Sequence, residues 1–126
     1  MQLKTKSVYD ASLSRGRVLA KAAVNAAREL GLTQKELAEV IGVSEPTVSR
    51  MKDGGYDLGG KPFELAACLV RLFRSLDAIA GGDPDTIKGW MENANSDLHG
   101  APRALIAQAA GLIGVMNYLD AARAPT

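Results

Sequence analysis

Residues 32–54 read Leu-Thr-Gln-Lys-Glu-Leu-Ala-Glu-Val-Ile-Gly-Val-Ser-Glu-Pro-Thr-Val-Ser-Arg-Met-Lys-Asp-Gly, and the punctuation of this stretch decides the fold. Thr33 precedes Glu36 by three residues, the spacing of a capping box in which the hydroxyl takes one orphan N–H and the carboxylate reaches back to another. A helix therefore opens there, with Leu37, Ala38 and Ile41 on one face, and Gly42 permits a tight turn out of it. Ser44 offers the next N-cap, and Pro46 fits a first turn without forfeiting a hydrogen bond. The second helix buries Val48 and Met51 and stops at Gly54-Gly55. Two helices this short must share one small core, so Leu37, Ala38 and Ile41 have to meet Val43, Val48 and Met51, with Ala38 small where the helices approach.

Upstream, Val18, Leu19, Ala22, Ala23, Ala26, Ala27 and Leu30 recur at three- and four-residue spacing, predicting a helix from Ser14 to Leu30 with Gly31 as its C-cap. Downstream, residues 53–61 are rich in turn formers. From Pro62 to about Ala80 the sequence predicts a long helix with two apolar stripes, Leu65, Leu69, Leu72, Leu76 and Ile79 on one side and Phe63, Ala66, Val70 and Phe73 on the other. Such a helix joins two halves of a molecule or a second subunit. Gly81-Gly82 breaks it, Asp83-Pro84 starts a helix through Ile87, Trp90 and Met91, and residues 93–100 form a polar turn. Pro102 opens a last helical run through Leu105 and Ile106 to Val115, Met116 and Leu119, with Gly111 expected to bend or split it.

Composition agrees with an all-α protein of 126 residues: 47% of the residues are hydrophobic, only 5% aromatic, and 23% charged. A core of Ala and Leu suits helices rather than strands. One Cys and one His cannot furnish the ligands of a zinc site, nor can a lone Cys form an internal disulfide. No metal, cofactor or catalytic group is expected. His99 lacks a second imidazole or thiol to work with, Cys68 reads as a small core residue, and Asp83 and Asp85 read as caps at a helix start. Gly55 to Lys61 imitates a phosphate-binding loop, yet Pro62 stands where a hydroxyl must meet magnesium and a helix precedes it instead of a strand. No stretch approaches the apolar length of a membrane span, so the expected location is the cytoplasm. The net charge of +1 conceals an asymmetry: residues 1–35 hold seven Lys and Arg against two acids, whereas residues 36–126 hold eight against twelve. A basic first third invites a polyanion.

The pattern Gln-x-x-Leu-Ala-x-x-x-Gly-Val-Ser-x-x-x-Val-Ser across residues 34–49 resembles the Xre or lambda-repressor type of helix-turn-helix. That resemblance implies that the second helix enters the major groove of operator DNA, with Ser44 at its cap and Glu45, Thr47, Ser49 and Arg50 as candidate base readers. Arg50 suits the O6 and N7 of guanine. Gln34 and Lys35, at a helix N-terminus, suit phosphate, and Lys52 with the basic Lys4, Lys6, Arg15 and Arg17 adds nonspecific attraction. Further along, Leu-His-Gly-Ala-Pro-Arg-Ala-Leu-Ile (98–106) and Gly-Leu-Ile-Gly-Val-Met-Asn-Tyr-Leu-Asp-Ala-Ala-Arg (111–123) are similar to the C-terminal toxin-binding domain of Xre/MbcA/ParS antitoxins. The resemblance implies three parts: a DNA-binding domain over residues 1–60, a linking helix over 61–82 and a toxin-binding domain over 83–126. It also implies a type II antitoxin that neutralises a RES-domain toxin, an NAD-degrading enzyme, and represses its own operon as a homodimer within a larger complex. Tyr118, Asp120 and Arg123 are candidate toxin contacts or, equally, a solvated helix end. A repressor whose C-terminal domain serves only dimerisation is the competing function; an enzyme is disfavoured by the missing nucleophile and metal groups.

Overall fold

The computed structural model describes residues 14–124, so Lys4 and Lys6 lie outside the described residues. Helices follow one another as α1 (Arg15–Leu30), α2 (Gln34–Ile41), α3 (Glu45–Lys52), α4 (Gly60–Ile79), α5 (Pro84–Glu92), α6 (Pro102–Leu105) and α7 (Ala109–Arg123). Among the described residues no strand occurs, and the only extended pairing is an isolated bridge between Asn95 and Gly100. No described helix is long and apolar enough to cross a membrane.

Local chemistry accounts for most of the helix ends. The Ser14 hydroxyl accepts from the Arg17 N–H at 3.2 Å and opens α1. Gly31, at φ 81°, closes it by turning its own N–H onto the carbonyls of Ala27 and Arg28. Asp83 caps α5, taking the Thr86 N–H at 2.9 Å. The long helix begins at Gly60 rather than at Pro62, which places the proline within the first turn, where its missing N–H is still without cost.

Helix α4 is the centre of the molecule. One side packs on α1 and the other on α7, with α2 also resting against it. Its Ala66, Leu69, Leu72 and Leu76 are buried in a single apolar cluster that also takes in Leu37, Ile41, Val48 and Met51 from the α2–α3 pair and Ile87, Met91, Ile106, Leu112 and Leu119 from the C-terminal half. Helix α1 packs on α4, and its buried positions are mostly small, Ala20, Ala23, Ala26 and Ala27 beside Leu30, which admits close approach of its neighbours. Two expected core positions fall outside. Val18 is 57% exposed because the packed line of α1 runs through Ala20, Ala23 and Ala27, leaving Val18 beside it; Ile79 is 48% exposed at the projecting end of α4.

Two glycines mark close approaches. Gly16 lies under the side chain of Asp57 and the backbone of Leu58, so the loop after α3 lies directly on α1. Ser14 and Arg17 reinforce this contact, the first donating to Asp57 Oδ1 at 3.1 Å and the second to the Gly54 carbonyl at 2.7 Å. The last helical run does split, but over residues 106–108 rather than at Gly111. Gly111 matters for a different reason, since a Cβ there would collide with the Leu105 carbonyl. Its lack of a side chain lets α7 start against the end of α6.

A bidentate ion pair ties the C-terminal half to α2. Arg103 places Nε 2.7 Å from Glu36 Oε2 and Nη2 2.6 Å from Oε1, while Nη1 reaches Glu92 Oε1 at 3.3 Å. The Arg103 hydrogen bonds, aided by the Thr33 N–H, hold the Glu36 carboxyl down at about 2 from an ordinary 4.5. Because this group is more acidic folded than unfolded, its contribution to stability is complete above about pH 5 and disappears as the pH falls through about 2.

Two measurements check these assignments. In α7, a Cβ at Gly114 would meet no atom within 4 Å, so Gly114→Ala should stabilise the protein by about 0.5–1 kcal/mol through helix propensity. Gly111→Ala should instead destabilise by about 1–3 kcal/mol, steric conflict outweighing the same gain; denaturant midpoints that move in one direction for both would refute the distinction. In urea melts taken across pH, Glu36→Gln should show a stability deficit that is constant above about pH 5 and shrinks to nothing near pH 2, whereas a pH-independent deficit would contradict the ionic origin.

Candidate functional site

The α2–turn–α3 unit is built from backbone donors satisfied locally. Thr33 Oγ1 accepts from the Glu36 N–H at 3.1 Å and Glu36 Oε1 accepts from the Thr33 N–H at 2.9 Å, the reciprocal pair that the sequence spacing predicts. Gly42 turns the chain at φ 77°, and the Ser44 hydroxyl takes the Thr47 N–H at 3.2 Å to start α3. Gln34 and Lys35 stand exposed in the first turn of α2, at the positive end of the helix dipole.

On α3 and at its cap, Ser44, Glu45, Ser49, Arg50 and Lys52 are exposed. Thr47 is not among them. It is 7% exposed, and its hydroxyl lies 2.9 Å from Ser44 Oγ and accepts from Arg50 Nη2 at 3.0 Å. Its expected place among the outward side chains is corrected by the helix rotation that buries Val48 and Met51, which brings the preceding position partly into the seam. Arg50 is also more constrained than a solvated charge, since its guanidinium lies over the Tyr56 ring at 5.5 Å. Tyr56 was not anticipated; its signal is an aromatic within a glycine-rich exit from α3. Of the basic residues expected to attract DNA, Arg17 bonds the Gly54 carbonyl and Arg15 lies over Phe63 at 5.8 Å. Across residues 33–53 three basic side chains face four acidic ones, so the surface owes little to bulk charge.

In the C-terminal half, Tyr118, Asp120 and Arg123 do not form one patch. Tyr118 and Asp120 are two residues apart on α7 and point to different sides. The Tyr118 ring stacks on Trp90 with centroids 6.3 Å apart, and its hydroxyl donates to Asp97 Oδ2 at 2.9 Å, which raises the phenol above its usual range. Asp120 turns toward α4, accepting from Ser75 Oγ at 2.8 Å and from Arg71 Nε at 2.7 Å. Arg123 Nη1 donates to the same hydroxyl at 3.3 Å. Ser75 is fully buried, and the signal for it is a hydroxyl placed between Leu72 and Leu76 in an otherwise apolar stripe. Arg123 continues onto the rim of an open groove of about 650 Å³ between α1 and α4, floored by Val18, Ala22, Phe63 and Ala67.

Among the described residues no cluster of three His, Cys, Asp or Glu side chains is disposed to hold a metal ion. His99 is an exposed turn residue at φ 63°, and Cys68 is half-buried on α4.

Residues 11–71 match the model of the antitoxin Xre-like helix-turn-helix domain, and residues 75–124 match that of the antitoxin Xre/MbcA/ParS C-terminal toxin-binding domain. A comparison with curated proteins finds no match. The first match contains α2, α3 and their glycine turn; the second contains Ser75, Arg103 and the whole of α7. With the two matches in tandem, the chain belongs to the Xre/MbcA/ParS antitoxins, an Xre-like helix-turn-helix domain followed by a toxin-binding domain.

Proposed function

We propose that this antitoxin acts in the cytoplasm in a type II toxin-antitoxin system, neutralising a RES-domain, NAD-degrading toxin by covering its active site and repressing its own operon as a homodimer. The observation that carries the reading is the tandem itself: a helix-turn-helix with both caps formed and its turn glycine at positive φ, in one chain with a toxin-binding domain. The RES identity of the toxin comes from the resemblance of residues 98–123 to that antitoxin type.

On the DNA side, α3 enters the major groove. Glu45, Ser49 and Arg50 face the base edges, Ser44 and Lys52 flank them, and Gln34 and Lys35 meet the phosphate backbone. Thr47 takes a supporting role, seating the Arg50 guanidinium from one side while Tyr56 covers another. On the toxin side, the exposed end of α7 offers Arg123 at the groove rim, with Tyr118 on the adjacent face. Asp120 contributes by holding that end of α7 to α4.

The reading is tested by coexpression with the product of the neighbouring gene: copurification and rescue of growth are expected, and failure of both would remove the toxin partner. In mobility-shift titrations against the promoter fragment, Arg50→Ala should lose about 1–3 kcal/mol of discrimination between operator and random DNA, and an unchanged preference would eliminate Arg50 as a reader. Truncation after Asp120 should weaken toxin neutralisation more than DNA binding, because it removes Arg123 and leaves α2 and α3 intact. Equal growth rescue by the truncated protein would exclude the tail from the toxin interface.

A further inference from the structure

We infer that Arg103, a residue of the toxin-binding domain, sets the strength of DNA binding by cancelling the charge of Glu36 at the phosphate-facing start of α2. The inference rests on the DNA-binding reading above and adds to it a positioning residue from outside the helix-turn-helix.

The capping box creates the problem that Arg103 solves. Glu36 folds its carboxylate back over the N-terminus of α2 to accept the Thr33 N–H, which brings a negative charge to the end of the helix where Gln34 and Lys35 stand. A DNA phosphate approaching those residues meets that charge. The carboxyl is held near 2, so the charge is a full one at neutral pH. Because acids already outnumber bases over residues 33–53, little else on this surface offsets it. Arg50 is turned toward Thr47 and Tyr56, and Arg17 is bound to the Gly54 carbonyl.

Arg103 meets both Glu36 oxygens in the planar, two-point geometry that suits a guanidinium. The two side chains are 29% and 31% exposed, so solvent screens the pair only in part. Glu92 secures the remaining arm of the guanidinium from α5. The cation lies 67 positions from its partner in sequence and within the segment matched by the toxin-binding domain. The charge seen by DNA at α2 is thus set jointly by both domains.

The full chain is tested by fluorescence anisotropy with a labelled duplex of about 30 base pairs of arbitrary sequence at low salt, where phosphate contacts dominate. Arg103→Met should weaken binding about tenfold, equivalent to about 1.4 kcal/mol. Glu36→Gln should bind at least as well as the wild type, since glutamine can also close a capping box. The double variant Glu36→Gln/Arg103→Met should return to within about threefold of wild type, because no charge remains to be cancelled. Wild-type affinity in Arg103→Met would overturn the inference. So would a double variant as weak as Arg103→Met, which would make Arg103 a strut or a direct phosphate contact. Should Arg103→Met fail to fold by circular dichroism, the comparison of the double variant with the wild type decides: affinities within about threefold support charge cancellation and a larger drop refutes it. A wild-type protein that ignores the duplex altogether defeats the underlying DNA reading, and does so before any substitution is made.

Discussion

Burial of α4 on two sides is the constraint from which the architecture follows. A helix whose apolar surface covers most of its circumference is unstable in water until both stripes are covered. In this chain α1 covers one and α7 the other, α2 also rests against α4, and α3 and α5 pack in turn on α1. Neither set of neighbours suffices alone, because Leu69, Leu72 and Leu76 belong to one continuous apolar cluster with residues of both halves. The boundary between the two family matches, at residues 71 and 75, falls within α4. Two functional modules therefore share one hydrophobic core.

The polar contacts have a different distribution. Charge on the surface of α2 and α3 is nearly balanced, and two of its charged groups are held by specific partners: Arg50 by Thr47 and Tyr56, and Glu36 by Arg103. A surface of this kind gains little from general attraction to a polyanion, so the positions of individual donors matter more than the net charge of the domain. The basic excess of residues 1–35 similarly resolves, at Arg15 and Arg17, into single defined contacts.

Local features were the most legible in the sequence. The capping box of Thr33 and Glu36, the Ser44 cap, the turn at Gly42 and the cap at Asp83 all act within four residues, and spacing alone reveals them. The resemblance to the antitoxin family, which rests on local motifs, was readable for the same reason. Side-chain facing was less so: Val18 satisfies the apolar periodicity of α1, but only the position of α4 decides which line of that helix is covered. Gly111 was visible as a discontinuity, yet its close contact with Leu105 depends on how α6 meets α7. Arg103 with Glu36, and Ser75 with Asp120 and Arg123, are separated by 67, 45 and 48 positions, so no local pattern could pair them.

The buried Ser75 hydroxyl has a bearing on how α7 is aligned along α4. Aliphatic seams between helices are permissive, since Leu and Val side chains can interlock after a slide of one turn almost as well as before it. A lone hydroxyl at the seam, met by Asp120 and Arg123, removes that degeneracy: any displaced register would strand a polar group in hydrocarbon and separate two charges from their partners. Ser75 thus works as a dowel, contributing uniqueness of alignment more than strength of attachment.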